Sequence, residues 1–150
     1  NSAGAAGMIL PDLNLLLYAY NPHVPQHAKA AAWWTSLLNG DELIGLPNEI
    51  CLGFVRIATN ARLGAAAVPL AQAAAVVQQW IDLPQARILL PGPGHFKQVM
   101  DLMTGAMGSG ALVSDAALAA YAIQNRATLH SNDADFSRFA GLSWKNPLAG

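Results

Sequence analysis

Short apolar segments alternate with longer amphipathic segments along the chain. The apolar segments at 8–10, 43–45, 87–90 and 128–130 have the length of strands, and each is followed by residues with helical spacing. This alternation is typical of strands that cross over through helices into a parallel sheet. The sequence therefore predicts an α/β fold, a three-layer α/β/α sandwich with a mainly parallel central sheet.

The longer segments are predicted to be helices because their apolar residues recur every three or four positions. Asn21-Pro22 stops the first helix and Gly40 follows the second, as helix-ending residues do. The predicted helices cover residues 13–20, 25–39, 47 to 60 or 64, 68–81, 95–106 and 115–125, with a last helical turn at 136–139.

The connections are short and contain no repeat or interdomain linker, so residues 8–150 are predicted to form a single domain. Residues 1–7 lack the basic and apolar parts of a signal peptide and precede Met8. We interpret this first segment as a remnant of cloning.

Composition narrows the possible functions. Hydrophobic residues make up 53% of the chain and charged residues only 11%, which is typical of a globular protein. No apolar run reaches the roughly 18 to 20 residues of a membrane span, so no membrane association is expected. The net charge of -1 provides no general basic surface, so any RNA contact would be local. The single cysteine, Cys51, is predicted to be a buried thiol in a reducing cytosol.

Five of the nine acidic residues lie after predicted strands or at the start of predicted helices. Asp12 follows the first strand, Glu49 lies in the first turn of the third helix, and Asp115 opens the sixth. Asp133 and Asp135 follow the fourth strand. Each of them alone could be a helix N-cap. Because the carboxyl ends of parallel strands converge on one crevice, we expect the five carboxylates to meet in one pocket.

A cluster of carboxylates predicts a metal site, because like charges within a few ångströms repel unless a cation neutralises them. No histidine or cysteine is expected to converge on the same place. An all-oxygen set of ligands favours Mg²⁺ or Mn²⁺ over zinc, and such ions characteristically hold phosphates.

Four segments of the chain share their residues and their order with a known family. They are MILPDLNLL at 8–16, GFVRIATN at 53–60, SDAALAA at 114–120 and SNDADFSRF at 131–139. Together they resemble a PIN-domain ribonuclease, specifically a VapC-type toxin of a toxin-antitoxin pair. The resemblance runs from Met8 to the end of the chain.

The resemblance implies that four carboxylates surround one or two Mg²⁺ or Mn²⁺ ions, with Asp135 close by. The expected catalytic residues are Asp12, Glu49, Asp115 and Asp133. The expected metal ligands are Asp12, Asp115, Asp133 and Asp135. Many relatives carry the glutamate nearer the Gly-Phe pair, whereas Glu49 lies four residues before Gly53 on the same helical face. Whether Asp133 or Asp135 is the closer ligand stays open.

The resemblance also implies hydrolysis of RNA by a Mg²⁺-activated water molecule, leaving 3′-hydroxyl and 5′-phosphate ends. Asn14 and Ser131 are expected to orient ligands or water, although helix capping is an equal alternative for each. Arg56 and Arg62 are expected either to contact RNA phosphate or to be merely solvated. The implied partners are the RNA substrate, a cognate VapB-type antitoxin whose C-terminal segment occludes the site, and a second copy in a homodimer. The implied location is the bacterial cytosol.

Two other functions are weaker alternatives. A phosphatase of the haloacid dehalogenase kind also has an aspartate after its first strand, but it needs a second one where this chain has Asn14. A catalytically degenerate PIN-like module would only bind RNA or protein. Retention of Asp12, Asp115 and Asp133 argues against such a module, because packed carboxylates destabilise a fold that binds no metal.

Overall fold

A sheet of five parallel strands forms the centre of residues 7–150, which are the residues described by the computed structural model. The strands are β1 (Met8–Pro11), β2 (Leu43–Pro47), β3 (Ala86–Leu89), β4 (Ala127–His130) and β5 (Ser143–Lys145). Their order is β3-β2-β1-β4-β5, and each neighbouring pair is parallel. Together with the flanking helices, this sheet confirms the predicted α/β fold. Residues 1–6, most of the segment interpreted as a cloning remnant, lie outside the described part of the chain.

Helices connect and flank the strands. The α-helices of residues 7–150 are α1 (Leu13–Tyr20), α2 (His27–Leu38), α3 (Asn48–Ala58), α4 (Leu70–Ile81), α5 (His95–Gly105) and α6 (Val113–Gln124). Shorter 3₁₀ helices lie at Ala61–Ala66, Gly110–Leu112 and Ala134–Arg138. Within this described part of the chain, every helix is too short or too polar to cross a bilayer.

The structure differs from the sequence prediction at two proline-containing helix starts and at one strand. Pro47 was expected to begin α3, but it ends β2 with an extended backbone and occupies the N-cap position of the helix. Pro25 lies in a turn, and α2 begins at His27. Strand β5 was not predicted, because its three residues are too few to show an alternating pattern. Cys51 is buried, as predicted.

An aromatic cluster ties the first four helices together. The Tyr20 hydroxyl of α1 accepts hydrogen bonds from the indole N–H groups of Trp34 in α2, at 3.1 Å, and Trp80 in α4, at 2.9 Å. Phe54 of α3 packs edge-on against Trp80, with ring centroids 4.8 Å apart. Because these rings are large and specifically oriented, they hold the four helices against one another.

Helices α1 and α3 approach each other closely at Gly53. A Cβ atom at this position would lie 2.9 Å from the Leu13 Cδ2 atom, which is closer than carbon atoms normally pack. The glycine of the GFVRIATN segment therefore allows the start of α1 to lie against α3. This contact helps to bring Asp12, which precedes α1, and Glu49, in the first turn of α3, to the walls of one pocket.

Candidate active site

Asp12 and Ser131 lie side by side because β1 and β4 are neighbours in register. Pro11 is paired with His130, so the next residue of each strand reaches the same edge of the sheet. The Ser131 hydroxyl donates a 2.7 Å hydrogen bond to Asp12 Oδ2 and accepts one from the backbone N–H of Asp133, at 3.0 Å. Ser131 is fully buried and Asp12 is 6% exposed. Ser131 therefore holds the Asp12 carboxylate in one orientation from its buried side.

The Asp12 carboxylate is held in an environment that disfavours its charge. Burial raises its pKa, and the negative charge of Asp133 raises it further. The Ser131 hydroxyl and the backbone N–H groups of Leu13 and Asn14 lower the pKa, without cancelling the effect of burial. Asp12 occupies the N-cap position of α1 without a full side-chain capping hydrogen bond, so the first N–H groups of the helix act on its carboxylate mainly through their charge.

Asp115 reaches the same place from the first turn of α6. Its pKa is raised to about 6, first by burial and then by the negative charges of Asp12, Asp133 and Asp135. The four carboxylates therefore lie within electrostatic reach of one another. We use the name aspartate cluster for Asp12, Asp115, Asp133 and Asp135, which come from three separate parts of the chain.

The two acids after β4 differ in their place within the aspartate cluster. The Asp133 charge raises the pKa of both Asp12 and Asp115, whereas the Asp135 charge acts on Asp115 alone. Asp133 Oδ1 also accepts a hydrogen bond from the Asp135 backbone N–H at 2.9 Å, which caps the 3₁₀ helix that follows. Asp133 thus lies nearer the centre of the cluster, and Asp135 lies at its exposed rim.

Glu49 lines the same pocket but is bound to a different partner. The pocket has a volume of about 470 Å³, and its lining includes Asp12, Asn14, Glu49 and Asp115. Both Glu49 carboxylate oxygens lie within hydrogen-bond distance of the Tyr121 hydroxyl, at 2.9 and 3.0 Å. Glu49 therefore lies in the pocket wall, with its carboxylate held by Tyr121.

The predicted supporting residue Asn14 lies at the pocket mouth. Its side chain is exposed, and it takes part in none of the hydrogen bonds found among residues 7–150. Its backbone N–H lowers the pKa of Asp12. Of the two supporting residues that the sequence predicted, Ser131 contacts the Asp12 carboxylate through its side chain and Asn14 influences it through the backbone.

Tyr121 was not predicted as a site residue. It is 1% exposed, and its pKa is raised to about 12 by burial and by the adjacent Glu49, so its hydroxyl stays protonated and able to donate. Residues 116–122 are otherwise alanine or leucine. A phenol placed in such an apolar helix is the sequence signal that indicates a specific buried partner.

The side chains of the site suit a hard divalent cation. The pocket contains carboxylate, hydroxyl and amide oxygens and no histidine or cysteine, which is the donor set that Mg²⁺ and Mn²⁺ prefer. The mutual repulsion within the aspartate cluster is what a cation would relieve. Within residues 7–150, no three such side chains already stand at the separation of a preformed metal site. Binding would therefore require side-chain movement.

His130 is the last residue of β4 and lies beside Trp33, outside the pocket lined by Asp12 and Asp115. Its Nδ1 atom accepts a 3.0 Å hydrogen bond from the Trp33 indole N–H. Burial, and then the positive charge of Lys145, lower the pKa of His130 to about 4. The imidazole is therefore neutral in the folded protein at neutral pH.

We expect His130 to make the fold sensitive to acid. The folded-state pKa of His130 lies below the ordinary value of 6.5, so the fold favours the neutral imidazole. The folded protein therefore has its full stability above pH 6.5 and loses the contribution of His130 as the pH falls towards 4. The loss is about 3 kcal/mol of unfolding free energy. Asp115, whose pKa is raised to about 6, changes the stability in the opposite direction over the same pH range. To isolate the effect of His130, the measurement compares denaturant unfolding of wild type and His130→Asn at several pH values. Identical pH slopes in the two proteins would contradict this prediction.

Comparison with known proteins identifies relatives over most of the chain. The family model described as PIN domain matches residues 9–142. Ribonuclease VapC33 of Mycobacterium tuberculosis is 45% identical over 141 residues, which cover 94% of this chain and 99% of the relative. VapC ribonuclease Mb2897 of Mycobacterium bovis is 36% identical and covers 95% of this chain and 97% of its own.

A solved structure shares the fold at much lower identity. The crystal structure of VapC20 from Mycobacterium tuberculosis, a toxin that cleaves the sarcin-ricin loop, aligns with a TM-score of 0.65 at 16% identity. The alignment covers 90% of this chain and 98% of VapC20. At this identity the likeness concerns the fold alone, and it agrees with the parallel sheet described above.

Proposed function

Because the chain belongs to the PIN-domain family, with VapC ribonucleases as relatives, we propose that it is a metal-dependent endoribonuclease toxin. The proposed active site is the pocket lined by Asp12, Glu49 and Asp115, together with Asp133 and Asp135 beside it. The observation that carries this proposal is that Asp12, Glu49 and Asp115 line one pocket, with Ser131 joining Asp12 to the Asp133 backbone; the charges of Asp12, Asp133 and Asp135 raise the pKa of Asp115. A fold does not retain such repulsion for stability alone, whereas a cation-binding site uses it.

The residues that would hold Mg²⁺ or Mn²⁺ are Asp12, Asp115 and Asp133, with Asp135 at the rim. When bound, such an ion would supply charge neutralisation at a phosphodiester and lower the pKa of the attacking water. Ser131 keeps the Asp12 carboxylate oriented through its 2.7 Å hydrogen bond. Glu49 lines the pocket from α3, and in this proposal its carboxylate would accept a proton from the attacking water.

Arg56 is the basic residue that we assign to RNA binding. It lies on α3, lines the same pocket as Asp12 and Glu49, and is exposed. In the described part of the chain, the salt bridge found joins Lys97 and Asp101, so Arg56 is left to bind an external anion. A guanidinium group suits a phosphate oxygen pair. Arg56 thus provides a local positive charge for an RNA phosphate, although the net charge of the chain is -1.

The proposed partners are a VapB-type antitoxin and a second copy of the chain. The surface carries exposed apolar side chains, among them Leu52, Phe96 and Met107, which are 63%, 73% and 90% exposed. These side chains are available for contact with another protein. Since its substrate would be cellular RNA, the proposed location is the bacterial cytosol.

Cleavage of RNA by the purified protein tests the proposed function. Total RNA is incubated with the wild type in the presence of Mg²⁺, Mn²⁺ or a chelator, and the new ends are sequenced. We expect cleavage with either metal, none with the chelator, and 5′-phosphate ends. A folded protein that stays inert with both metals would instead favour the degenerate binding module.

The aspartate cluster is also expected to reduce the stability of the metal-free protein. Because the folded-state pKa of Asp115 is raised to about 6, its ionised form destabilises the fold above that pH, and the penalty disappears as the pH falls towards 3.8. After allowance for solvent screening, Asp115→Asn is expected to add about 1 kcal/mol at pH 7.5. Metal-free melting temperature should rise by about 2 to 4 °C.

Melting curves with and without Mg²⁺ check this expectation. The ion should stabilise the wild type and lose most of that effect in Asp115→Asn, because only a ligand that binds the folded state raises its stability. Equal shifts in both proteins, or a variant less stable than the wild type at pH 7.5, would show that the cluster is not a strained cation site.

A further inference from the structure

Tyr121 of α6 and Glu49 of α3 form a contact that joins the two helices beside the pocket. The Tyr121 hydroxyl of α6 lies 2.9 and 3.0 Å from the two carboxylate oxygens of Glu49 in α3. The phenol is 1% exposed, whereas Glu49 is exposed at its pocket side. A buried neutral donor therefore holds a carboxylate that would otherwise move freely at the surface.

Helix α6 carries both Asp115 of the aspartate cluster and Tyr121, the partner of Glu49. Asp115 lies in its first turn and Tyr121 lies six residues later, about 9 Å along the axis. Long side chains in a helix lean towards its N-terminus, so the phenol extends from Tyr121 back towards the pocket. One rigid helix thus provides an aspartate of the cluster and the anchor for the glutamate of another helix.

The Tyr121 ring is itself held in place. It packs against the His95 imidazole of α5, with ring centroids 4.4 Å apart. His95 Nδ1 lies 3.1 Å from Gln124 Nε2, and that amide also donates to Gln98 Oε1 at 2.7 Å. The phenol therefore has little freedom to rotate away from Glu49.

From this geometry we propose that Tyr121 is a positioning residue for Glu49, which sets the distance between the glutamate and the aspartate cluster. The inference rests on the proposed ribonuclease function of the same site. Tyr121 does not touch substrate or metal; it acts by restricting the Glu49 carboxylate to one orientation. Orienting hydrogen bonds of this kind typically change metal affinity or activity by tenfold to a hundredfold when they are removed.

Tyr121→Phe tests the proposal because it removes the hydroxyl and keeps the ring. We expect kcat on an RNA oligonucleotide to fall by at least about tenfold, with KM nearly unchanged. In a Glu49→Ala background, the same substitution should have no further effect, since its target carboxylate is gone. An equal loss in both backgrounds would mean that the hydroxyl is merely structural, and would overturn the proposal.

Tyr20→Phe is the matched control. It removes a tyrosine hydroxyl that accepts hydrogen bonds from two tryptophans in the aromatic cluster, away from the pocket. We expect this variant to lose stability and to keep the wild-type kcat. If Tyr20→Phe lowers kcat as much as Tyr121→Phe, loss of stability explains both results and the positioning role is wrong.

A measurement on the metal-free wild type requires neither activity nor a variant. In nuclear magnetic resonance spectra, we expect a slowly exchanging Tyr121 hydroxyl proton with a cross-peak to the Glu49 side chain. When Mg²⁺ alone is added, the Glu49 carboxylate signal should shift. Absence of the cross-peak would overturn the positioning role even if RNA is cleaved. A protein that shows the cross-peak but neither binds Mg²⁺ nor cleaves RNA would overturn the proposed function. The contact would then be real but would have no role in catalysis.

Discussion

Replacing Asp115 with asparagine is expected to lower RNA cleavage by more than about a hundredfold, because loss of even an outer hydrogen-bond partner of a metal site costs tenfold to a hundredfold. The negative charges of Asp12, Asp133 and Asp135 all raise the pKa of Asp115, so a cation bound beside Asp115 would relieve their repulsion. Asparagine has nearly the same shape and cannot supply the negative charge. The measurement is the initial rate of cleavage of one RNA substrate at saturating Mg²⁺.

Asp101→Asn provides the matched control for this experiment. Asp101 lies on α5, is exposed, and forms a surface salt bridge with Lys97. The same chemical change at this position should leave cleavage within about twofold of the wild type, since surface ion pairs contribute little. If Asp115→Asn retains wild-type activity while folded, the aspartate cluster is not the catalytic centre.

Ser131→Ala is expected to have the second largest effect, on both stability and activity. The change removes a fully buried hydroxyl that donates to Asp12 and accepts from the Asp133 backbone N–H. A hydrogen bond to a charged group contributes about 1.5 to 3 kcal/mol, and the partners left behind are buried. We therefore expect the unfolding free energy to fall by about 2 to 3 kcal/mol. Mg²⁺ affinity should weaken by about tenfold to a hundredfold.

Denaturant unfolding and calorimetric titration with Mg²⁺ measure the two effects separately. Ser137→Ala is a suitable control, because the Ser137 hydroxyl is exposed and donates only to a backbone carbonyl within the same 3₁₀ helix. That variant should match the wild type in both experiments. A Ser131→Ala protein with unchanged Mg²⁺ affinity would show that the hydroxyl does not orient Asp12 for binding.

The fold was predictable from the sequence where the hydrophobic pattern was long enough to reveal its period. Helix α4 has three turns of regular apolar spacing, and its boundaries were predicted to within a few residues. Strand β5 has three residues and a single partly buried side chain, Trp144, so no period could be seen. Its place beside β4 depends on tertiary pairing, which a local pattern does not encode.

The aspartate positions followed from a general property of parallel sheets. The residues after β1 and β4 meet because these strands are neighbours, and the sequence alone placed Asp12, Ser131 and Asp133 after strands. The relative depth of Asp133 and Asp135 was left open, because it depends on the 3₁₀ helix that Asp133 caps. The partner of Glu49 was missed, since Tyr121 lies 72 residues away and meets it only through the packing of α3 and α6.

Crystals grown with Mn²⁺ offer the most direct test of the central claim that the carboxylates of Asp12, Asp115 and Asp133 bind one divalent ion. Anomalous diffraction locates the ion without any assumption about activity. We predict an anomalous peak in the pocket, with oxygens of these three side chains at about 2.1 Å. Saturating Mn²⁺ that leaves the pocket without a peak, or that binds only at acids outside it, would contradict the account.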